Sequence, residues 1–172
     1  MKKLIAFDLD GTLAPSKSHF HDRMVNMFDR LLEKYEVCVI SGGKYELYQR
    51  QFLTQITKDP ELLNKLHLMP TSGTRYYRFE NNEWKLVYAE DIPAKDKQRI
   101  IKALEDGLDE SGYRAEKIYG DIIEDRESQI SLSILGQEIV AELGPEGVKI
   151  KEEWDPDASK KHRLRDIIAP KI

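Results

Sequence analysis

The fold is decided by the stretch Leu4-Ile5-Ala6-Phe7-Asp8-Leu9-Asp10-Gly11-Thr12-Leu13. Its apolar first half predicts a buried strand of a parallel sheet, and residues 37–40 predict a second such strand. Asp8 and Asp10 are two positions apart at the end of the first strand, so both can face the crevice at the carboxyl end of the sheet, where open parallel sheets bind ligands. Gly11 allows the chain to leave the strand sharply.

The segment between the two strands predicts a helix. Its apolar residues recur at helical spacing; they are Phe20, Met24, Phe28, Leu31 and Leu32. Strand, helix and strand in this order are typical of a right-handed crossover unit. With a further helix over residues 45–56 and a strand over 66–69, residues 1–80 are expected to form the N-terminal part of an α/β core with a parallel sheet.

A different pattern follows Gly73. Residues 75–79 and 84–88 flank Asn81-Asn82 and predict a hairpin, while residues 129–135 alternate polar and apolar like a half-buried antiparallel strand. A helix is expected to begin at Pro93, and a short basic helix near the C-terminus. We expect residues 81–172 to form a second, α+β module.

Composition narrows the class of protein. The 172 residues are 40% hydrophobic and 34% charged, with a net charge of -4, which favours a folded domain and gives no general reason to bind nucleic acid or anionic membrane. Cys38 is the only cysteine, so an internal disulfide is excluded. With no stretch that suggests a signal peptide or membrane span, we expect a cytoplasmic protein.

The two acids suggest phosphoryl transfer. One carboxylate can attack phosphorus while its neighbour protonates the leaving group and later activates water. Two negative charges beside a phosphate need a cation, and Mg²⁺ favours carboxylate oxygen. The plainer interpretation is a strand that runs into an acidic turn.

The string Asp8-x-Asp10-Gly11-Thr12-Leu13 resembles the first motif of the haloacid dehalogenase superfamily, whose phosphatases and mutases form an aspartyl-phosphate. The resemblance implies that Asp8 is the nucleophile and Asp10 the general acid/base, and that the Asp8 carboxylate and the Asp10 backbone carbonyl contact Mg²⁺. Thr12 is placed among the phosphate-binding residues. Ser41 matches the second motif, and the backbone N–H groups of Gly42 and Gly43 at a helix start would add an anion cradle.

Within the superfamily, the order of core and inserted cap is similar to the phosphomannomutase-like branch of subfamily IIB. That resemblance implies four substrate-binding residues in the cap: Arg126, Gln129, Ser131 and Ser133. A guanidinium suits a sugar phosphate because it binds phosphate oxygens bidentately. Two alternatives stay open: an ion pair between Arg126 and Glu124 or Asp125, and a polar strand face that is simply solvated.

Two later motifs of the superfamily, a lysine and a Gly-Asp-x-x-x-Asp string, are not assigned. Residues 120–125 spell the acidic string but fall inside the expected cap. In the family fold the first strand is central, so its outer edge and one sheet face would lie bare here. We therefore expect either that the natural protein extends past Ile172 or that this is a shortened product.

The leading hypothesis is a Mg²⁺-dependent sugar-phosphate phosphotransferase that works through an aspartyl-phosphate. Transfer to a sugar hydroxyl makes it a mutase and transfer to water a phosphatase. The alternatives are a non-catalytic remnant or cap-mediated interaction module, and a phosphatase for a non-sugar substrate. The resemblance also implies a homodimer formed through the cap.

Overall fold

The computed structural model describes residues 3–15 and 18–172. The chain divides into two compact units, Met1–Asp91 and Ile92–Ile172. This boundary differs from the predicted one at residues 80 and 81, because the hairpin that follows Gly73 belongs to the sheet of the first unit.

The first unit contains a mixed five-stranded sheet in which sequence order is also spatial order. Its strands are β1 (Leu4–Asp8), β2 (Glu36–Ile40), β3 (Leu66–Met69), β4 (Arg75–Glu80) and β5 (Glu83–Ala89). The first three are parallel, and β4 and β5 are antiparallel to their neighbours. Asp8 lies opposite Ile40 and Ile40 opposite Met69, so the first three strands end level with one another.

The side chains of β2 are more deeply buried than those of β1. Val37 and Val39 of β2 are fully buried, as predicted for a strand covered on both faces. In β1 burial alternates instead: Leu4 is 46% exposed, whereas Phe7 is half-buried and packs on the core. The prediction that β1 is buried throughout was therefore wrong, since β1 lies at the edge of the sheet and no described element covers its outer face. A bare edge and face were themselves expected.

The helices of the first unit follow the predicted periodicity. They are α1 (Asp22–Lys34), α2 (Tyr45–Tyr48), a π-helix (Gln49–Leu53) that continues α2, and α3 (Pro60–Leu63). An aromatic cluster joins them to the loop after β1: Phe20 stacks on Phe52 at 5.0 Å between ring centroids and meets Phe28 edge-on at 5.6 Å. Such pairs add to the stability that burial of the rings already provides. The cluster therefore anchors both the loop and the π-helix.

The hairpin turns at the predicted dipeptide. Asn81 and Asn82 have φ angles of 54° and 65°, which suits the two-residue turns that match strand twist. Asparagine tolerates this left-handed region better than most residues. β4 and β5 then extend the sheet beyond β3, so the predicted boundary at residues 80 and 81 falls inside this hairpin.

The second unit combines helices with a two-stranded antiparallel sheet. Its elements are α4 (Ala94–Ser111), β6 (Ile123–Asp125), β7 (Ile130–Leu132), α5 (Ile139–Leu143), α6 (Pro145–Trp154) and α7 (Ser159–Ile168). The predicted strand over residues 129–135 is shorter, because a turn follows Leu132. In that turn the Gly136 N–H donates to the Ser133 carbonyl at 2.9 Å, and Gly136 has a φ of 87°.

The core of the second unit lies between α4 and α7. Leu104, Leu164 and Ile168 are each less than 10% exposed and pack together with Ile134. Gly107 of α4 lets Ile168 approach closely, since a Cβ at this position would collide with the isoleucine side chain. Among the described residues, no helix has both the length and the apolar character needed to cross a membrane.

One histidine of the first unit is held in a polar cluster. His67 of β3 contacts the Tyr76 hydroxyl through Nδ1 at 2.7 Å and the Glu36 carboxylate through Nε2 at 3.1 Å. The guanidinium of Arg78 lies 2.9 Å from the same ring. Burial first, and then the positive charge of Arg78, lower the pKa of His67, while Glu36 opposes them. A neutral ring fits this cluster, with Nε2–H donating to Glu36 and Nδ1 accepting from Tyr76.

This cluster predicts a loss of stability in mild acid. Because the folded pKa of His67 lies below its unfolded value, its contribution is present above about pH 6.5 and is lost as the pH falls through the folded pKa. Urea unfolding between about pH 7.5 and about pH 5.5 should show a smaller decrease in unfolding free energy for His67→Gln than for the wild type. His21→Gln, at an exposed position, should behave as the wild type does. An unchanged pH dependence in His67→Gln would contradict this assignment.

Candidate active site

The predicted site residues of the first unit lie along the edge of the sheet that is formed by the carboxyl ends of its parallel strands. Asp8 is the last residue of β1 and Ser41 directly follows β2, while residues 70–73 follow β3. The level ends of the three parallel strands place these segments side by side. This is the edge at which open parallel sheets bind ligands.

The segment after β1 folds back tightly on itself. The Leu9 carbonyl accepts hydrogen bonds from the N–H groups of Leu13 at 3.0 Å and Ala14 at 3.1 Å. Gly11 has a φ of 78°, in the left-handed region, and its N–H donates to the Ala14 carbonyl at 2.7 Å. Leu9 is fully buried beneath this turn, which leaves Asp8 exposed. An exposed carboxylate at the end of a strand, directly before a fixed turn, is open to a ligand.

Thr12 lies in the same turn. Its side chain is exposed, and its N–H approaches the Leu9 carbonyl at 3.4 Å. The threonine is therefore near the strand end, as predicted, but its backbone amide already has an acceptor within the turn.

Asp10 is held by a residue that the sequence did not single out. The side-chain amide of Gln51 donates to Asp10 Oδ1 at 3.1 Å and to the Ser18 carbonyl at 3.2 Å. Gln51 is only 2% exposed and lies in the π-helix. A glutamine between Arg50 and Phe52 carries no motif, so only the fold reveals this contact.

The loops after β2 and β3 are joined by hydrogen bonds. The Ser41 carbonyl accepts from the Ser72 N–H at 2.9 Å, and the Gly43 carbonyl accepts from the Thr71 N–H at 2.9 Å. Ser41 itself is 6% exposed, and its Oγ accepts from the Gly43 N–H at 3.3 Å. The Gly43 amide, which the sequence assigned to an anion cradle, therefore already has an acceptor within the loop.

The loop after β3 has a strained backbone. Thr71 and Ser72 have φ angles of 49° and 58°, a region that residues other than glycine seldom adopt. Thr71 is 2% exposed, and the Thr74 hydroxyl donates to its carbonyl at 2.6 Å. Such strain persists only where the surroundings enforce it and is frequent at functional sites. The sequence signal for this loop is Pro70-Thr71-Ser72-Gly73 directly after the third strand, a combination typical of turns.

Tyr48 lies beneath this edge of the sheet. It is fully buried, and its hydroxyl donates to the Met69 carbonyl at 3.1 Å. Burial raises the pKa of the Tyr48 phenol far above its usual range, and the negative charges of nearby Asp10 and Asp8 act in the same direction. The phenol therefore stays neutral and does not compete with the two aspartates as a base.

The donors at this edge fit part of a Mg²⁺ shell. Asp8 offers an exposed carboxylate, and Mg²⁺ commonly takes one or two carboxylates and completes its shell with water and substrate phosphate. Among the described residues, no group of three or more histidine, cysteine, aspartate or glutamate side chains could hold a metal. The acidic string at residues 120–125 lies in the second unit, where Asp125 pairs with Lys97 at 2.9 Å.

In the second unit, the predicted cap residues make contacts within the unit. Arg126 forms an ion pair with Glu124 at 2.8 Å and donates to Gln137 at 3.3 Å, which is one of the two alternatives that the sequence left open. The Ser131 hydroxyl accepts from Gln137 at 3.3 Å, and the Ser133 hydroxyl donates to the Gly136 carbonyl. Ser131 alone of the three predicted strand residues lies within β7.

Gln129 precedes β7, and its side-chain carbonyl oxygen is buried without a hydrogen-bond partner among the described residues. An unsatisfied buried acceptor costs folding free energy. Of Gln129, Ser131 and Ser133, which were expected on one strand face, only Ser131 is therefore part of β7. The assignment of these residues and of Arg126 to substrate binding stays a prediction.

Two curated relatives are phosphatases. The chain is 28% identical over 101 residues to the HMP-PP phosphatase of Shigella flexneri serotype 5b (strain 8401), a match that covers 59% of this chain and 34% of that protein. It is 29% identical over 101 residues to the HMP-PP phosphatase of Escherichia coli O157:H7 (strain EC4115 / EHEC), with the same coverage. The chain thus spans about a third of the length of these relatives.

Solved structures share the fold. The ATP-bound IMP-nucleotidase of Plasmodium falciparum matches with a TM-score of 0.60 at 18% identity, over 99% of this chain and 42% of that chain. A haloacid dehalogenase-like hydrolase from B. subtilis matches with a TM-score of 0.51 at 20% identity, over 98% of this chain and 50% of that chain.

A model of the haloacid dehalogenase-like hydrolases matches residues 5–153, which include most of β1, both Asp8 and Asp10, the loop of Ser41 and nearly all of α6. The family resemblance seen in the first motif is thus confirmed over most of the chain. The chain belongs to the haloacid dehalogenase-like hydrolase family.

Proposed function

We propose that the protein is a Mg²⁺-dependent phosphotransferase that acts on sugar phosphates through an aspartyl-phosphate at Asp8. The observation that carries the proposal is the exposed carboxylate of Asp8 at the end of β1, two residues before an Asp10 held by a buried amide. One carboxylate is accessible and the other is fixed. A nucleophile and a positioned acid/base are the two groups that this chemistry needs.

The reaction proceeds in two steps. A carboxylate oxygen of Asp8 attacks phosphorus, the bond from phosphorus to the sugar oxygen breaks, and Asp10 gives its proton to the departing alkoxide. Asp10 then takes a proton from the incoming water or sugar hydroxyl, whose oxygen attacks the phosphoaspartate and restores the Asp8 carboxylate. The hydroxyl of Ser41 and the amides of Gly42 and Gly43 bind the phosphoryl oxygens.

Mg²⁺ would be bound by the Asp8 carboxylate and the Asp10 backbone carbonyl, with further oxygens from water and the phosphate. When bound, it supplies positive charge that reduces repulsion between the phosphate and the two aspartates. The hydrogen bond from Gln51 keeps the Asp10 side chain in a fixed orientation while Asp8 reacts.

The names of the relatives favour water as the acceptor of the phosphoryl group. Both curated relatives are named phosphatases and the solved structure is a nucleotidase, so transfer to water agrees with their names better than transfer to a second sugar hydroxyl does. The same names support a second candidate, a phosphatase for an organic phosphate that is not a sugar phosphate. A profile of phosphate release across hexose phosphates, nucleoside monophosphates and organic diphosphates separates the two.

The role of Asp8 as nucleophile is tested by its amide variant. Asp8→Asn should reduce phosphate release from the best substrate by at least about 1,000-fold in the intact protein with Mg²⁺, because an amide cannot form the acyl phosphate. Asp22→Asn, at an exposed position at the start of α1, should retain full activity. Undiminished turnover by Asp8→Asn would overturn the mechanism, and a wild-type protein without activity on any phosphate would favour the non-catalytic alternative.

The contact of Gln51 with Asp10 predicts a loss of stability when Gln51 is replaced. Gln51→Leu should lower the unfolding free energy by about 1–3 kcal/mol, because Asp10 and the Ser18 carbonyl lose a buried donor. Gln51→Glu should cost more, since it places a second carboxylate against Asp10 in a buried position. Urea denaturation measures both, with Gln49→Glu on the exposed side of the π-helix as the matched control. Equal stability of Gln51→Glu and the wild type would show that the contact with Asp10 does not form.

A further inference from the structure

The second unit contains a cleft that plays no part in the proposed chemistry at Asp8. It has a volume of about 640 Å³ and lies between the segment that includes β7, the end of α6 and helix α7. Clefts that bind small molecules in proteins commonly measure about 300–1,000 Å³. The cleft is therefore of a suitable size for a small organic ligand.

Basic side chains dominate the charged lining of the cleft. They are Lys151, Lys160, Lys161 and Arg165. The single acidic residue of the lining is Asp155, so the formal charges sum to four positive and one negative. The whole chain carries a net charge of -4, and this concentration of positive charge opposes the overall sign. A local positive field of this kind attracts anions.

The one acid is already engaged. Asp155 accepts hydrogen bonds at its two carboxylate oxygens from the backbone N–H groups of Lys160 and Lys161, both at 3.0 Å. It therefore caps the first turn of α7. Within the described part of the chain, no carboxylate forms an ion pair with the ammonium groups of Lys151, Lys160 or Lys161. The ammonium groups of Lys151 and Lys161 remain available to a bound anion, and Arg165 forms only an exposed ion pair with Asp166 at 3.8 Å.

The same cleft also has an apolar wall. Leu104, Leu164 and Ile168 are less than 10% exposed, and Trp154 beside them is half-buried. The indole packs edge-on against Tyr113 at 6.0 Å, which fixes its orientation. Apolar and aromatic surface of this kind binds the uncharged body of a ligand.

Polar groups that line the cleft can orient a bound ligand. The Ser131 oxygen accepts from Gln137 at 3.3 Å, so its hydroxyl hydrogen can point elsewhere. Lys160 lies over the Trp154 ring, with Nζ 4.4 Å from the centroid, and donates to the Trp154 carbonyl. Lys160 is thereby held in place, while Lys151 and Lys161 are exposed side chains that can close on a ligand.

We propose that this cleft binds a small organic anion with an apolar or aromatic body. The anionic group lies toward Lys151, Lys161 and Arg165, and the body lies against Trp154 and the apolar wall. Binding here needs neither Asp8 nor Mg²⁺, so the proposal stands independently of the reaction proposed above.

The test uses Trp154 as the reporter. The chain has two tryptophans, so Trp84→Phe leaves Trp154 as the only indole and serves as the background for all variants. The probe is 8-anilinonaphthalene-1-sulfonate, an aromatic anion, in buffer with EDTA, and N-phenyl-1-naphthylamine is its neutral counterpart. We expect saturable quenching of Trp154 by the anion that weakens as salt is added, with weaker binding of the neutral probe.

Charge reversal locates the site. Lys151→Glu and Lys161→Glu should each weaken the anionic probe by about tenfold, and Lys161→Gln should have a smaller effect. Lys149→Glu is the matched control, because Lys149 is an exposed lysine of the same helix that does not line the cleft; its Kd should stay within about twofold. Circular dichroism verifies that each variant is folded. Equal binding by all variants, or by both probes, would overturn the proposal.

Competition identifies the features of the ligand that matter. Phenyl phosphate and phenylacetate share the aromatic body, and displacement of the probe by either supports the proposal and shows which anionic group the lysines prefer. Inorganic phosphate should displace the probe only at much higher concentration, because it lacks a body to contact Trp154. Displacement by inorganic phosphate as effective as that by phenyl phosphate would remove the role assigned to the apolar wall.

Discussion

Backbone pairing of β1, β2 and β3 in parallel register controls the geometry of the first unit. Asp8, Ile40 and Met69 lie side by side in this register, so the three segments that follow them begin at the same height. A shift of β1 by one residue would turn Asp8 to the opposite face of the sheet. The strands themselves are held by fully buried side chains of β2 and β3, which contribute to stability through burial rather than through contact with any ligand. The chemistry at the strand ends thus depends on packing several residues away.

Ser41 illustrates how the strand ends could receive the phosphate of the proposed reaction. Its hydroxyl oxygen accepts from the Gly43 amide, so neither group is left without a partner while the site is empty. A phosphoryl oxygen that enters can accept from the Gly43 amide, while the serine hydroxyl turns to donate to the same ligand. In the proposed reaction, one neutral hydrogen bond would thus be exchanged for two charge-assisted ones. The hydrogen bonds to the loop after β3 keep the backbone in place during this exchange.

The sequence was most informative where function and local pattern coincide. The first motif located Asp8 and Asp10, and helical spacing correctly located α1. The sequence does not reveal the contact of Gln51, because a glutamine in a helix reaches Asp10 only after distant segments pack together. The predicted boundary divided the hairpin, since alternation reveals a strand but not its neighbours in space. The strand predicted over residues 129–135 was too long. The polar and apolar residues continue to alternate in the sequence, but the turn between Ser133 and Gly136 ends the strand.

The exposed outer side of β1 also affects how the isolated chain will behave in solution. No described strand pairs with this edge, so its free backbone amides and carbonyls form a template for another extended segment. The exposed apolar side chains of Leu4 and Ala6 lie on the same strand and further favour association with another chain. Concentrated samples of these 172 residues are thus prone to aggregation that begins from a correctly folded molecule, and its rate will rise with concentration rather than with denaturant.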